Sequence, residues 1–185
     1  MIEVIREDVK AHLKPSRYRH TLGVCKLAVS LAKWYNIDVI EAEIAALLHD
    51  YAKYASDENI LECYRNNSVE VPAVILNNPN LGHGYMSAII AKEKYDISEN
   101  VYQAISNHTF GRTGMSMLEK IIYLADSLEE GRSYEGIDYV RLYLYENLNK
   151  ALLMTCENTL LYEIKKGNMI HVQTILMRNE LLEAK

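Results

Sequence analysis

Leu47-Leu48-His49-Asp50 closes an apolar run, and its last two residues are the ones an apolar run does not explain. Successive side chains on an α-helix diverge by about 100°, so His49 and Asp50 meet at one point only where the helix frays or ends in a cleft. Working outward, further ionisable residues fall on apolar helical stripes. Residues three, four and seven apart share a helix face. His20 is in phase with Val24, Leu27 and Leu31, His108 with Val101, Ala104 and Ile105, and Asp126 with Leu118 and Ile122. His83 is framed by Gly82 and Gly84, which allow close backbone approach.

Taken singly, an inward histidine is ordinarily a hydrogen-bonded core residue. A buried carboxylate is harder to place, because it loses solvation worth several kcal/mol and therefore protonates, pairs or binds a metal. Satisfying His20, His49, Asp50, His83, His108 and Asp126 one by one requires six separate arrangements. One centre holding one or two divalent metals inside a helical bundle accounts for all of them.

The rest of the chain reads helix after helix, with no alternating strand pattern. Ile2, Ile5, Val9 and Leu13 mark a short amphipathic helix stopped by Pro15. Ser16 is the expected cap of the helix that carries His20 and ends near Asn36. Asp38 and Glu41 resemble a capping box opening the helix to Asp50. A further helix spans about 57–67, and Val69 to Gly84, with two prolines and three asparagines, is the longest irregular stretch. Ser98 begins the helix bearing His108, and Thr109 to Gly114 forms a loop. Ser116 and Glu119 make a second capping box before the Asp126 helix, which Gly131 is expected to stop. From Ile137 one long helix is predicted to about Lys166, ended by Gly167-Asn168, and a last one over much of Val172 to Glu183. The expected fold is all-α, a single helical bundle domain over residues 1–185.

Composition narrows the class. At 185 residues and 49% apolar side chains, the chain can bury a core without disulfides. Cys25, Cys63 and Cys156 are odd in number and lack the close pairs of a structural zinc site. The acidic start, Met1 to Asp8, does not resemble a signal peptide, and no apolar run approaches the roughly 20 residues of a membrane span. A cytoplasmic setting follows as the expectation. The net charge of −5 disfavours non-specific binding to duplex nucleic acid, but leaves room for a phosphorylated small molecule in a locally positive pocket. One Phe stands beside 14 Tyr; most tyrosines are expected at the core rim with the hydroxyl reaching water. Helical faces rich in Tyr and Leu suit a homodimer interface or an intramolecular core equally.

The order His20, His49-Asp50, Asp126 resembles the HD superfamily of metal-dependent phosphohydrolases, and in detail the bacterial symmetrical diadenosine tetraphosphatases of YqeK type. The segments that carry the resemblance are Arg17 to Val24, His49 to Tyr54, Ile105 to Thr109 with Gly111-Arg112, and Leu118 to Asp126 leading to Arg132. It covers nearly the whole chain.

The resemblance implies metal ligation by His20, His49, Asp50 and Asp126, with His83 and His108 completing a second metal site or ordering phosphate and water. Asp50, His83 and His108 become the catalytic residues. His20, Lys53, His83, Thr109, Phe110 and Arg132 would contact the nucleotide, as would Ile170, His171, Val172, Gln173, Thr174 and Ile175. That late stretch departs from the family, which has Pro-Asp-Thr where this chain reads Val172-Gln173-Thr174. Mixed imidazole and carboxylate ligands suit iron, manganese, cobalt or zinc, and iron is the family expectation. The implied reaction is hydrolysis of diadenosine tetraphosphate to two ADP, with metal-activated hydroxide attacking an inner phosphorus. Two rivals use the same residues: an HD nucleotidase acting on mononucleotides or nucleoside triphosphates, and a nucleotide sensor without turnover. Neither an internal repeat nor the Gly-Tyr-Pro motif of HD cyclic-dinucleotide phosphodiesterases is present.

Overall fold

The computed structural model describes residues 1–183 and shows helices and turns, with no strand among them. The element order is α1 (Ile2–His12), α2 (Pro15–Trp34), α3 (Val39–Leu48), α4 (Asp57–Asn66), α5 (Ala73–Asn77), a 3-10 turn (Pro79–Gly82), α6 (His83–Tyr95), α7 (Glu99–Asn107), α8 (Met117–Leu128), α9 (Ile137–Leu142), α10 (Leu148–Lys166) and α11 (Val172–Glu183). α2 packs on α3 and α8, and α7 packs on α3, α6 and α8. Leu31, Leu47, Leu48, Ile105, Leu118, Ile121, Ile122 and Leu124 are fully buried between these helices. Each contributes roughly 1.5–3 kcal/mol through removal of apolar surface from water. α1 closes the bundle against α3, while α10 lies on α8 and α11 on α10.

Most helix starts follow the expected chemistry. Asp38 accepts from the amides of Ile40 and Glu41, Ser98 from Val101, and Ser116 and Glu119 form a reciprocal capping box. Asn36 takes a left-handed conformation after α2, and Gly167 does so after α10, as helix C-termini favour.

Five expectations are corrected. Lys14, not Ser16, is the N-cap of α2, because Pro15 occupies the first turn, where its missing N–H costs nothing. Glu41 does not close a box with Asp38; its carboxylate instead accepts from Ser98 and Asn100 at the start of α7. The irregular stretch contains α5 and the 3-10 turn, and Gly82-His83-Gly84 runs directly into α6. α8 ends at Leu128, capped at Glu129 before Gly131 is reached. The long helix from Ile137 is two helices, with Asn147 capping the second by accepting from the Lys150 amide.

A polar cluster locks α1 to the segment after His49. The Asp8 carboxylate accepts from the hydroxyls of Tyr51 and Tyr95 and from Lys94 Nζ at 2.7 Å, and the His12 ring stacks on Tyr51 at 4.1 Å. Partial burial pushes the Asp8 pKa up, but the donors Lys94, Tyr95 and Tyr51 outweigh it and hold the acid below its usual range. A carboxylate whose pKa is depressed by folding stabilises the fold above its unfolded pKa of about 3.9 and loses that contribution as pH falls through the folded value. Asp8→Asn is therefore expected to cost about 1 kcal/mol at pH 7. In urea unfolding the difference from the unaltered protein should shrink as pH drops below the carboxylate range; a difference independent of pH would rule out the charge as its source.

Candidate metal centre

α3 stops at Leu48, so His49 and Asp50 lie where the helix gives way to turns. That break lets both side chains face the bundle interior, where they are 0% and 2% exposed. α2 delivers His20 and α8 delivers Asp126 to the same place. His20 Nε2 lies 2.9 Å from Asp126 Oδ1, and His49 Nε2 lies 3.3 Å from Asp50 Oδ2. The cross distances, His20 Nε2 to Asp50 Oδ2 and His49 Nε2 to Asp126 Oδ1, are both 3.9 Å. Two ligands about 2.1 Å from one ion are roughly 3.0–3.4 Å apart at octahedral or tetrahedral angles, so these atoms stand around a space of the right size.

The other oxygen of Asp50 faces a second group. Asp50 Oδ1 is 2.9 Å from His83 Nε2 and 3.9 Å from His108 Nε2, and the two imidazole nitrogens are 3.2 Å apart. Asp50 thus stands between a pocket of His20, His49 and Asp126 and one of His83 and His108, and His108 also comes close enough to His49 and Asp126 to share an ion with them. His83 sits in the first turn of α6, and His108 is the residue at which α7 ends. Gly84 gives them room: a Cβ there would lie 3.1 Å from His108 Cε1, a tighter contact than most Cβ atoms make.

The tautomers support cation binding. His49 Nδ1 is 2.7 Å from the Ala46 carbonyl, His83 Nδ1 2.6 Å from Asn80 O, and His108 Nδ1 2.7 Å from Ile105 O. A carbonyl only accepts, so each Nδ1 carries a hydrogen, and a ring in its neutral form then presents its lone pair at Nε2. His20 follows the same plan with the Glu129 carboxylate as acceptor, at 3.0 Å. His20 Nε2 and His49 Nε2 are buried without hydrogen-bond partners among the described residues. Lone pairs of Asp50, His83 and His108 facing one another at these distances repel unless a proton or a cation lies between them. The residues present fit a divalent metal.

Electrostatics sharpen the division of labour. For Asp50, burial opposes ionisation, but His49 and His83 reverse this and hold its pKa well below the carboxylate range. Asp126 behaves alike, lowered by His20, His49 and His108 against burial. His108 is pushed down to about 3 by burial and by its neighbours His49 and His83, so its ring stays neutral. His49 is raised, since Asp50 and Asp126 outweigh its burial.

Around this centre the other expected residues divide into two groups. Lys53 Nζ is 3.3 Å from His83 Nε2 and 3.9 Å from Asp50 Oδ1, so it reaches the pocket; burial lowers its pKa. Arg132 donates to the Asp126 carboxylate at 2.8 Å and to its backbone carbonyl. Thr109 Oγ1 is 3.5 Å from His108 Nε2. Phe110 stacks on His171 at 4.2 Å, and Thr174 donates to the Phe110 carbonyl at 2.8 Å, which brings the late segment to the loop after α7. Ile170 packs on the main core, Gln173 Oε1 is buried without a partner among the described residues, and Val172 and Ile175 stand exposed.

Three further residues belong to the centre. Arg17, a weaker candidate in the sequence that was not among the expected site residues, donates to Asp50 Oδ2 at 2.9 Å from its place one turn before His20 on α2; the other two escaped the sequence reading. Asn80 anchors both His83, through its carbonyl, and the Lys53 carbonyl, through its amide. Glu129 lies behind His20 and is 4% exposed.

No described helix is long and apolar enough to cross a membrane. The HD domain family matches residues 17–131, which hold every residue of the two pockets. Similar curated proteins include the symmetrical bis(5'-nucleosyl)-tetraphosphatase of Halalkalibacterium halodurans, 39% identical over 175 residues, covering 94% of this chain and 93% of that protein. The protein of the same name from Bacillus subtilis is 38% identical over 176 residues, covering 94% of each. A crystal structure described as a predicted HD superfamily hydrolase involved in NAD metabolism, from Clostridium acetobutylicum, is 43% identical with a TM-score of 0.95, covering 100% of this chain and 98% of that one. Identity of this extent, over a bundle in which His20, His49-Asp50 and Asp126 converge, means that the chain belongs to the HD domain family and, within it, to the symmetrical bis(5'-nucleosyl)-tetraphosphatases.

Proposed function

We propose that the chain, acting as one unit over residues 1–185, hydrolyses diadenosine tetraphosphate at its central phosphoanhydride to give two ADP. The observation that carries this reading is the convergence of four Nδ1-anchored histidines and two ionised aspartates, with Lys53, Arg17 and Arg132 in direct contact with them. His20, His49, Asp50 and Asp126 would hold the metal, for which iron is the expectation carried by the resemblance. When bound, such a cation lowers the pKa of water and draws charge from a phosphoryl oxygen.

The chain's own residues supply the rest. Asp50 Oδ1 orients the attacking water, and His83 Nε2, 2.9 Å away, takes its proton. His108 stays neutral beside it, with the Thr109 hydroxyl 3.5 Å from its Nε2. The ADP released ends in a phosphate with a pKa near ~6, so it departs as an anion. Cations serve this step better than a proton donor, and Lys53 and Arg132 fill that role. The stacked Phe110 and His171 rings already touch, so an adenine lies on an outer face of the pair, near Thr174 and Gln173. Three free cysteines, Cys25, Cys63 and Cys156, accord with a reducing cytoplasm.

Product analysis tests the proposal. Iron-reconstituted protein given diadenosine tetraphosphate should yield ADP as sole product, and the chelated protein none. Formation of AMP with ATP, or phosphate release from mononucleotides without dinucleotide cleavage, would reject symmetrical hydrolysis.

A further inference from the structure

Of the four histidines, three rest their Nδ1 hydrogens on backbone carbonyls; His20 alone rests on a carboxylate. The carboxylate belongs to Glu129, just beyond the last turn of α8, and it is buried. Its Oε1 lies 3.0 Å from His20 Nδ1, and its Oε2 accepts from the Gly131 amide. The neighbouring Glu130 is exposed and pairs with Lys26 at 2.7 Å, so the two adjacent acids have different work.

Two glycines make room for the Glu129 carboxylate. A Cβ on Gly23 would stand 2.3 Å from Glu129 Oε2, and one on Gly131 would stand 2.9 Å from Oε1. Gly23 lies in the interior of α2, where glycine is disfavoured relative to alanine. The close approach of Glu129 explains its presence there. Arg141 fixes the backbone of the same segment, donating to the carbonyls of Leu128, Glu129 and Arg132. One carboxylate thus meets the imidazole nitrogen that faces away from the centre, two glycines leave room for that carboxylate, and a guanidinium holds the backbone that carries it.

We infer that Glu129 is a positioning residue for the metal centre: seated in the slot left by Gly23 and Gly131, it holds His20 with Nδ1 protonated and Nε2 free to ligate. A carboxylate behind an imidazole ligand also raises its basicity, which a neutral carbonyl does less. The inference rests on the reading of these residues as a metal centre and is independent of which phosphorylated substrate is cleaved.

The test is Mn²⁺ affinity of chelator-stripped protein, read from the electron paramagnetic resonance of free Mn²⁺, for the unaltered chain, Glu129→Gln and Gly23→Ala. Glu129→Gln is expected to weaken binding by about 10–100-fold, the usual loss when a partner behind a metal ligand is removed. Gly23→Ala should weaken it similarly by displacing the carboxylate, although helix propensity alone favours the alanine. In the metal-free unaltered protein, imidazole ¹⁵N shifts should show His20 protonated at Nδ1, and Glu129→Gln should move that signal while circular dichroism stays helical. Unchanged Mn²⁺ affinity in both variants, or a His20 protonated at Nε2 in the unaltered protein, overturns the inference. Failure of the unaltered protein to bind Mn²⁺ overturns the metal reading and this inference with it, whereas Mn²⁺ binding without dinucleotide cleavage, with the variants weakened, supports this inference and rejects only the substrate.

Discussion

Asp50→Asn is expected to lower turnover of diadenosine tetraphosphate by on the order of 10³-fold or more, equivalent to about 4 kcal/mol of transition-state stabilisation. The size follows from how many groups one carboxylate serves. Oδ1 faces His83, His108 and Lys53, while Oδ2 faces Arg17, His49 and His20. An amide of the same shape keeps one acceptor but turns an NH₂ toward one of the two groups. If it faces the histidines, a donor replaces a lone pair where a cation is to sit; if it faces Arg17, two donors meet. Either orientation also removes the negative charge that offsets Arg17 and Lys53. Outer partners of a metal ligand cost about 10–100-fold when lost, and a residue lying between both pockets must exceed that. The measurement is kcat with saturating metal, alongside circular dichroism to show the bundle intact. Activity within tenfold of the unaltered protein would remove Asp50 from its place at the centre.

Much of this site was legible because burial and charge conflict visibly in a linear chain. His20, His108 and Asp126 sit on apolar stripes at helical spacing, and all three reach the centre. Capping residues were legible for the same local reason: Ser98, Ser116 with Glu119, and Gly167 act within a few residues of themselves. The tyrosine reading held in part: Tyr18, Tyr35, Tyr95, Tyr102 and Tyr143 lie partly buried against the core, whereas Tyr51, Tyr64 and Tyr123 are buried and Tyr139 and Tyr162 exposed.

What escaped depends on contacts distant in sequence or on a competing local signal. Glu129 and Glu130 are indistinguishable as residue types; only the approach of α2 at Gly23 decides which one is buried. Arg17 is only a weak candidate in the sequence, because its partner Asp50 is brought to it by the turn after α3. α6 was hidden because glycines on both sides of His83 resemble a loop, whereas Gly84 serves packing against His108 inside a helix. The break between α9 and α10 falls in a stretch whose apolar spacing continues unbroken, and only Asn147, a good cap before Leu148, marks it.

The second large effect concerns stability. Glu119→Ala should lower the unfolding free energy by about 3 kcal/mol, near the low end for breaking a buried charge pair. Glu119 is 1% exposed, yet its carboxylate is fully engaged. Oε1 accepts from Arg112 Nε at 2.7 Å and Asn107 Nδ2 at 3.1 Å, and Oε2 from Arg112 Nη2 and the Ser116 amide, both at 2.8 Å. One side chain thereby ties the end of α7, the loop at Arg112 and the start of α8 together. Its loss leaves the Ser116 amide unpaired and Arg112 without a counter-charge. Two features limit the damage. The Arg112 side chain is 35% exposed and can turn to water, and Asn107 keeps its bonds to Gln103. For a chain of this length 3 kcal/mol corresponds to a fall in Tm of about 6–12 °C. Combining Glu119→Ala with Arg112→Ala should cost less than the sum of the two, because the stranded guanidinium is then absent. A Tm within about 2 °C of the unaltered protein, or strict additivity of the pair, would show that the ion pair is not what joins α7 to α8, and packing of Leu118, Ile121 and Ile122 would have to hold that junction alone.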